Sequence, residues 1–124
     1  MLGVDLVKIS RIAQMMERFG KKALQRFLHP EEIELVKNEQ TAAGFWATKE
    51  AVAKALGCGI GSECSFFDIK IYKTPKGAPK LSFSQKLVQK FNIEDASLSI
   101  THDGEYAIGV VALQSTTTDK IEQF

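Results

Sequence analysis

Cysteine, histidine, proline and tryptophan are scarce in this chain: two, two, three and one in 124 residues. Two thiols, Cys58 and Cys64, are too few for a disulfide framework and fit a reducing compartment. Only His29 and His102 could join them, and there is no paired-cysteine motif, so nothing reads as a structural zinc site. No apolar stretch approaches the roughly 20 residues of a membrane span, and no signal peptide is recognisable. A cytoplasmic protein without membrane attachment is expected. The net charge is +1, too small for a whole-molecule attraction to nucleic acid. Most of the eight Phe residues fall at core-facing positions, and Gly-Phe-type recognition motifs are absent, which disfavours a single-strand RNA binder. The rest, 44% apolar and 25% charged, is the composition of a globular protein, and the length is that of one domain.

Periodicity supplies the elements. Met1 to Val7 is a short apolar run that reads as a buried strand. Helix is expected from Ser10, as N-cap, to Phe19, and again from Lys21 to Phe27. Pro30 suits the first turn of a helix over Glu31 to Lys37. A long helix opens at Thr41 and ends near Leu56, where Gly57 is its natural stop. The glycines from Gly57 to Gly61 follow a helix C-terminus, where the dipole disfavours phosphate, so they read as structural. Phe66 to Lys73 alternates as a strand, Pro75 to Pro79 turns, and Leu81-Ser82-Phe83 pairs back. Ser84 to Phe91 is a short helix with Leu87, Val88 and Phe91 inward. Ala96 to Thr101 alternates, Asp103-Gly104 signals a hairpin, and Glu105 to Leu113 returns. The fold class is α+β, an antiparallel sheet of four or five strands with helices against it. Residues 1–113 form the single domain; residues 114–124 form a polar, mobile tail.

Charge is uneven along the chain. From residue 8 to 26, Lys8, Arg11, Arg18, Lys21, Lys22 and Arg26 face one acid, Glu17. Ile9, Ile12, Met15, Met16 and Phe19 make the segment amphipathic. It is either a solvated helix face or a docking surface for an acidic partner.

Three places can carry chemistry. In Trp46 to Ala55, Glu50 and Lys54 lie one turn apart, opposite the apolar stripe of Phe45, Val52 and Leu56. A carboxylate beside an ammonium can hold a divalent metal and the phosphate bound to it, although such pairs are also common on plain helix surfaces. Lys49 falls at the edge of the apolar stripe, where its stem packs and its ammonium needs a structural carboxylate or the pocket edge. Asp5 interrupts the first strand. A metal, or a buried Lys or Arg, would compensate its charge; capping the next helix is the alternative. His102 sits at a strand end beside the hairpin turn, and matters only if it converges with Asp5, Glu50 and Lys54.

The segments Gly3-Val4-Asp5, Trp46 to Ala55 and Ser99 to His102, in this order and length, resemble the holo-acyl-carrier-protein synthases. These are the small bacterial 4′-phosphopantetheinyl transferases. Supporting matches are Ile9 to Ile12, Phe27 to Glu32, Gly57 to Gly61 and Gly77-Ala78-Pro79, and the likeness covers about residues 1–113. It implies transfer of the phosphopantetheine arm of coenzyme A to a serine hydroxyl of apo acyl carrier protein, with adenosine 3′,5′-bisphosphate leaving. It also implies Mg²⁺, a role in fatty acid biosynthesis, and a homotrimer with each site shared by two subunits.

Under that resemblance Asp5 and Glu50 are the metal ligands, since Mg²⁺ prefers carboxylate and phosphate oxygens. Lys54 holds a pyrophosphate oxygen, and His102, with Thr101, contacts the nucleotide phosphates. Glu50, a water on the metal and a carboxylate of the substrate all stay open as acceptors of the serine proton. Arg11, Arg18, Lys21 and Lys22 face the carrier. Two departures stand out. Phe45 occupies a place where many relatives have Arg, so the 3′-phosphate needs another cation, for which Lys76 and Lys80 are the candidates. Trp46 replaces the usual Phe. The alternative reading is a non-catalytic basic-helix module that docks an acidic partner; it leaves Asp5, Glu50, Lys54 and His102 unexplained.

Overall fold

The computed structural model describes residues 1–116 and 122–124; of the expected mobile tail, residues 117–121 lie outside the described residues. Strand β1 (Leu2–Lys8) runs without a loop into helix α1 (Ile9–Phe19). Gly20, at φ 60°, turns the chain into the short α2 (Lys21–Gln25), and a single turn, α3 (Pro30–Ile33), follows. The long α4 (Glu39–Ala55) leads through a glycine-containing loop and a 3₁₀ turn (Phe66–Asp68) to β2 (Ile69–Lys73) and β3 (Pro79–Phe83). Helix α5 (Gln85–Phe91), β4 (Ile93–His102) and β5 (Tyr106–Ser115) complete the order.

The fold is α+β and every strand pair is antiparallel, but the five strands form two sheets. One has the order β1-β5-β4; the other is the β2–β3 hairpin. β5 continues to Ser115, past the boundary drawn at 113.

Local hydrogen bonding accounts for the other differences from expectation. α1 starts at Ile9, with an extended Lys8 at its N-cap, because the Ile9 amide is held by the Glu105 carbonyl at 2.8 Å. α2 stops two residues short of Phe27. α3 does not reach Lys37: Leu35 and Val36 donate to Glu32 and Ile33, three residues back, which tightens the chain out of the helix. α4 begins ahead of Thr41 because the Asn38 side chain caps the Thr41 amide at 2.9 Å. Asp68 and Ser65 form a capping box, so residues 66–68 turn instead of pairing. The strand alternation holds only from Ile69, and Phe67 is exposed.

Helix α4 lies diagonally over one face of the three-stranded sheet, made of Gly3, Asp5 and Val7 from β1, Ala107, Gly109 and Val111 from β5, and Leu98 and Ile100 from β4. Three glycines permit the close approach. A Cβ on Gly44 would lie 2.7 Å from Ile100 Cγ2, one on Gly109 2.7 Å from the Thr48 amide, and one on Gly3 1.8 Å from the Ala51 carbonyl oxygen. The helix therefore passes from β4 near its start to β1 near its end. Phe27, Leu28 and Phe45 fill the core at one end; Val52, Ile69, Leu87 and Val111 fill the other.

Among the described residues no helix covers the opposite face of the sheet. Leu2 is 78% exposed, Val4 58% and Leu6 56%, and Val110, which pairs with Val4, is 41% exposed. The expectation of a buried first strand is corrected: in a single chain only one face of β1 is covered.

Candidate active site

Between Ala42 and Ala55 every α4 residue is buried except Trp46, Glu50 and Lys54. These recur every fourth position, so they form one open line along the helix. Asp5 reaches the same place from β1. Its Oδ1 accepts a hydrogen bond from Lys54 Nζ at 2.8 Å; the Asp5 side chain is 14% exposed and that of Lys54 54%. Of the options open for Asp5, the cation it meets is Lys54, and it caps no helix. That bond holds the Lys54 ammonium above its ordinary pKa. Burial raises the Glu50 carboxyl, and the charge of Asp5 raises it further; Lys54 and Arg11 oppose both.

Two carboxylates 45 positions apart in sequence thus come near enough for the charge of Asp5 to act on Glu50. Their mutual repulsion is the feature a hard cation relieves, and Mg²⁺ is commonly held by one or two carboxylates plus substrate phosphates. Among the described residues no cluster of three or more His, Cys, Asp or Glu is present.

Lys49 is on the other side of the helix. It is fully buried, with Nζ 2.7 Å from Glu32 Oε1; of the structural carboxylate and the pocket edge, it meets the carboxylate. Trp46 packs edge-on to Phe27 at 5.0 Å between ring centres and lies 4.9 Å from Phe66.

His102 is apart from Asp5. It ends β4, two strands away and two residues along the register from Asp5, which places the Cα atoms roughly 12 Å apart. It lines a cleft of about 230 Å³ with Thr41, Phe45, Lys73, Pro79 and Ile100, and among the described residues it has no hydrogen bond to Asp5, Glu50 or Lys54. Thr101 pairs with Ile108 and so projects on the uncovered sheet face, away from His102. Lys76 is in the exposed β2–β3 turn, and Lys80 lines a different groove, with Tyr72 and Asp95. The cation beside His102 is Lys73, which sequence reasoning passed over. Its signal was the alternation Ile69, Ile71, Lys73, three side chains on one face.

Arg18, Lys21 and Lys22 are exposed at the end of α1 and on α2, where a partner can meet them. Arg18 stacks over Phe19 at 5.2 Å. Arg11 lies 5.9 Å from the Trp46 ring centre and acts on the Glu50 carboxyl, so it borders the acidic site as well as the basic face.

Comparison with known proteins gives one consistent result. The family model of the 4′-phosphopantetheinyl transferase superfamily matches residues 1–111. A holo-[acyl-carrier-protein] synthase of Sulfurimonas denitrificans is 60% identical over 98% of this chain and all of that protein. The crystal structure of Helicobacter pylori holo-[acyl-carrier-protein] synthase in complex with coenzyme A superimposes with a TM-score of 0.89 at 49% identity, over 92% of this chain and 100% of that one. A Bacillus anthracis synthase crystallised with CoA (3′,5′-ADP) follows at a TM-score of 0.77 and 33% identity, over 93% and 96%. With its Asp5, Glu50 and Lys54 cluster carried on this fold, the chain belongs to the 4′-phosphopantetheinyl transferase superfamily.

Proposed function

We propose that this chain is a holo-acyl-carrier-protein synthase, which moves the 4′-phosphopantetheine group of coenzyme A to a serine of apo acyl carrier protein. The observation that carries the reading is the 2.8 Å bond of Asp5, on β1, to Lys54 on the open line of α4, beside Glu50, whose carboxyl feels the charge of both. The reaction is attack of an alcohol at a pyrophosphate phosphorus, so it needs charge neutralisation, in-line placement and a proton acceptor. Asp5 and Glu50 hold Mg²⁺, which when bound neutralises charge on the pyrophosphate. Lys54, half-exposed, turns its ammonium to a pyrophosphate oxygen, where negative charge grows as adenosine 3′,5′-bisphosphate departs. Glu50 would receive the serine proton by virtue of its place at the reacting centre; its raised carboxyl belongs to the metal-free pair, and a bound cation would offset it. Arg18, Lys21 and Lys22 hold the acidic carrier, with Arg11 between it and the reacting centre.

His102 takes part from a second copy. Two observations support this: its distance from Asp5 within one chain, and the uncovered apolar face of the sheet formed by Leu2, Val4, Leu6 and Val110. Such a face is buried in a symmetric oligomer. A homotrimer brings the cleft of one chain, with His102 and Lys73, against the acidic cluster of the next, and leaves Thr101, Lys76 and Lys80 outside that cleft. Among the described residues no helix is long and apolar enough to cross a membrane, and both cysteines are unpaired thiols, in keeping with work in the cytoplasm. Release of adenosine 3′,5′-bisphosphate from coenzyme A, followed by chromatography, tests the reaction. Release that requires both Mg²⁺ and the carrier serine supports it; release that persists with a Ser→Ala carrier means hydrolysis instead.

A further inference from the structure

The ion pair of Glu32 and Lys49 is buried completely, and the chemistry above makes no use of it. All three protons of Lys49 Nζ are placed: on Glu32 Oε1 at 2.7 Å, on the Phe27 carbonyl at 2.7 Å and on the Phe66 carbonyl at 3.0 Å. Glu32 Oε1 also accepts from the His29 amide at 2.7 Å, and Oε2 from the Ile71 amide at 2.8 Å. One ion pair therefore joins the end of α2, α3, α4, the 3₁₀ turn and β2.

Stability alone is a poor explanation of this pair, because packed apolar residues of the same volume often serve a fold as well or better. What charged hydrogen bonds add is direction, since so many are satisfied together in one arrangement only. Direction is what α4 lacks on its other side. Towards the sheet it presents Gly44, Ala47 and Ala51, against Gly3 and Gly109, with few large side chains to interlock. Lys49 immediately precedes Glu50 and points about 100° away from it around the helix.

We propose that the Glu32–Lys49 pair is a positioning device for the transfer reaction, fixing the rotation and axial placement of α4 so that Glu50 and Lys54 meet Asp5. It rests on the reading of those three residues as the reacting centre. Trp46 is the only tryptophan and packs against Phe27 and Phe66, the two segments whose carbonyls Lys49 binds, so its fluorescence reports the state of the clip.

The test compares the double variant Glu32→Gln/Lys49→Met, which removes both charges, with Leu87→Ala, a cavity in the distant half of the core. Both are assayed well below their melting temperatures. The pair variant is expected to lose about 10- to 100-fold in kcat, the scale of a misplacement near 1 Å, and to shift Trp46 emission. Its KM for coenzyme A should stay within about threefold. Leu87→Ala should keep wild-type kcat and emission. A folded pair variant with wild-type kcat overturns the proposal. So does a pair variant that cannot fold while Leu87→Ala does, because the pair would then hold the fold and not the aim of one helix. Wild-type protein that transfers nothing refutes the functional reading instead.

Discussion

Lys49 and Lys54 sit on one helix, about 140° apart, and meet opposite surroundings. Lys49 is sealed in the core against Glu32; Lys54 stands in the open beside Asp5. The pair is open at Lys54 and mostly covered at Asp5, and with its cation in solvent it contributes about 1 kcal/mol to stability. Lys54→Met is therefore expected to shift the melting temperature by no more than about 4 °C. The same change should lower kcat by about 100-fold, because the lost interaction is strongest as charge develops on the leaving group. Steady-state kinetics beside thermal unfolding checks both numbers; a dead enzyme with a large loss of stability would assign Lys54 to the fold. The contrast between the lysines was legible in the sequence, since helical phase alone separates them. Glu32 was not: its partner lies 17 positions away, and nothing in Pro30-Glu31-Glu32 marks which carboxylate turns inward. Asp5 was legible as a charge needing compensation, while the identity of the compensating group needed the register of β1 under α4.

At the scale of elements, α4 could be read with little error because the run of helix formers from Trp46 to Ala55 leads to a glycine in the left-handed region, Gly57 at φ 78°. α3 and the 3₁₀ turn could not, because side chain-to-backbone bonds by Glu32, Ser65 and Asp68 overrode the periodic pattern. The β4–β5 hairpin was announced by Asp103-Gly104, and its physics gives a pH dependence. Asp103 Oδ1 accepts from the Glu105 amide at 2.7 Å and the Tyr106 amide at 2.9 Å, bonds that hold its carboxyl below the ordinary 3.8. A folded-state pKa below the unfolded one gives stability that is present above pH 3.8 and lost as pH falls through the folded value. Asp103→Asn should therefore melt lower than wild type at neutral pH, with the gap closing in acid. A gap that stays constant would remove the charge from the explanation. The basic helices give a second prediction. Arg18→Glu should weaken carrier affinity, with a smaller loss at high salt, and leave coenzyme A binding unchanged. Arg11→Glu should in addition depress kcat, since Arg11 also acts on Glu50. Binding measured across a salt series, alongside kcat for both variants, separates the two roles; identical behaviour would place both arginines on the carrier face alone.

For the whole molecule, the apolar run of β1 is correctly a strand but is not buried on both faces in a single chain, because an apolar run does not say what covers each face. The row of Leu2, Val4 and Leu6 is covered in the proposed trimer, and the same assembly brings His102 to the acidic cluster of a neighbour. Asp5→Ala and His102→Ala are each expected to be inactive alone. Unfolded and refolded together, they should recover about a quarter of wild-type activity, the share of interfaces that receive Asp5 from one chain and His102 from another. No recovery, with mixed oligomers demonstrably formed, would put both residues in one chain's own site. The most direct measurement is the intact mass of apo acyl carrier protein after incubation with this protein, coenzyme A and Mg²⁺. The account predicts that the carrier gains one phosphopantetheine group on a single serine, and that the gain disappears with Glu50→Gln or on chelation of the metal. An unchanged carrier mass with folded wild-type protein, or an equal gain with Glu50→Gln, would contradict it.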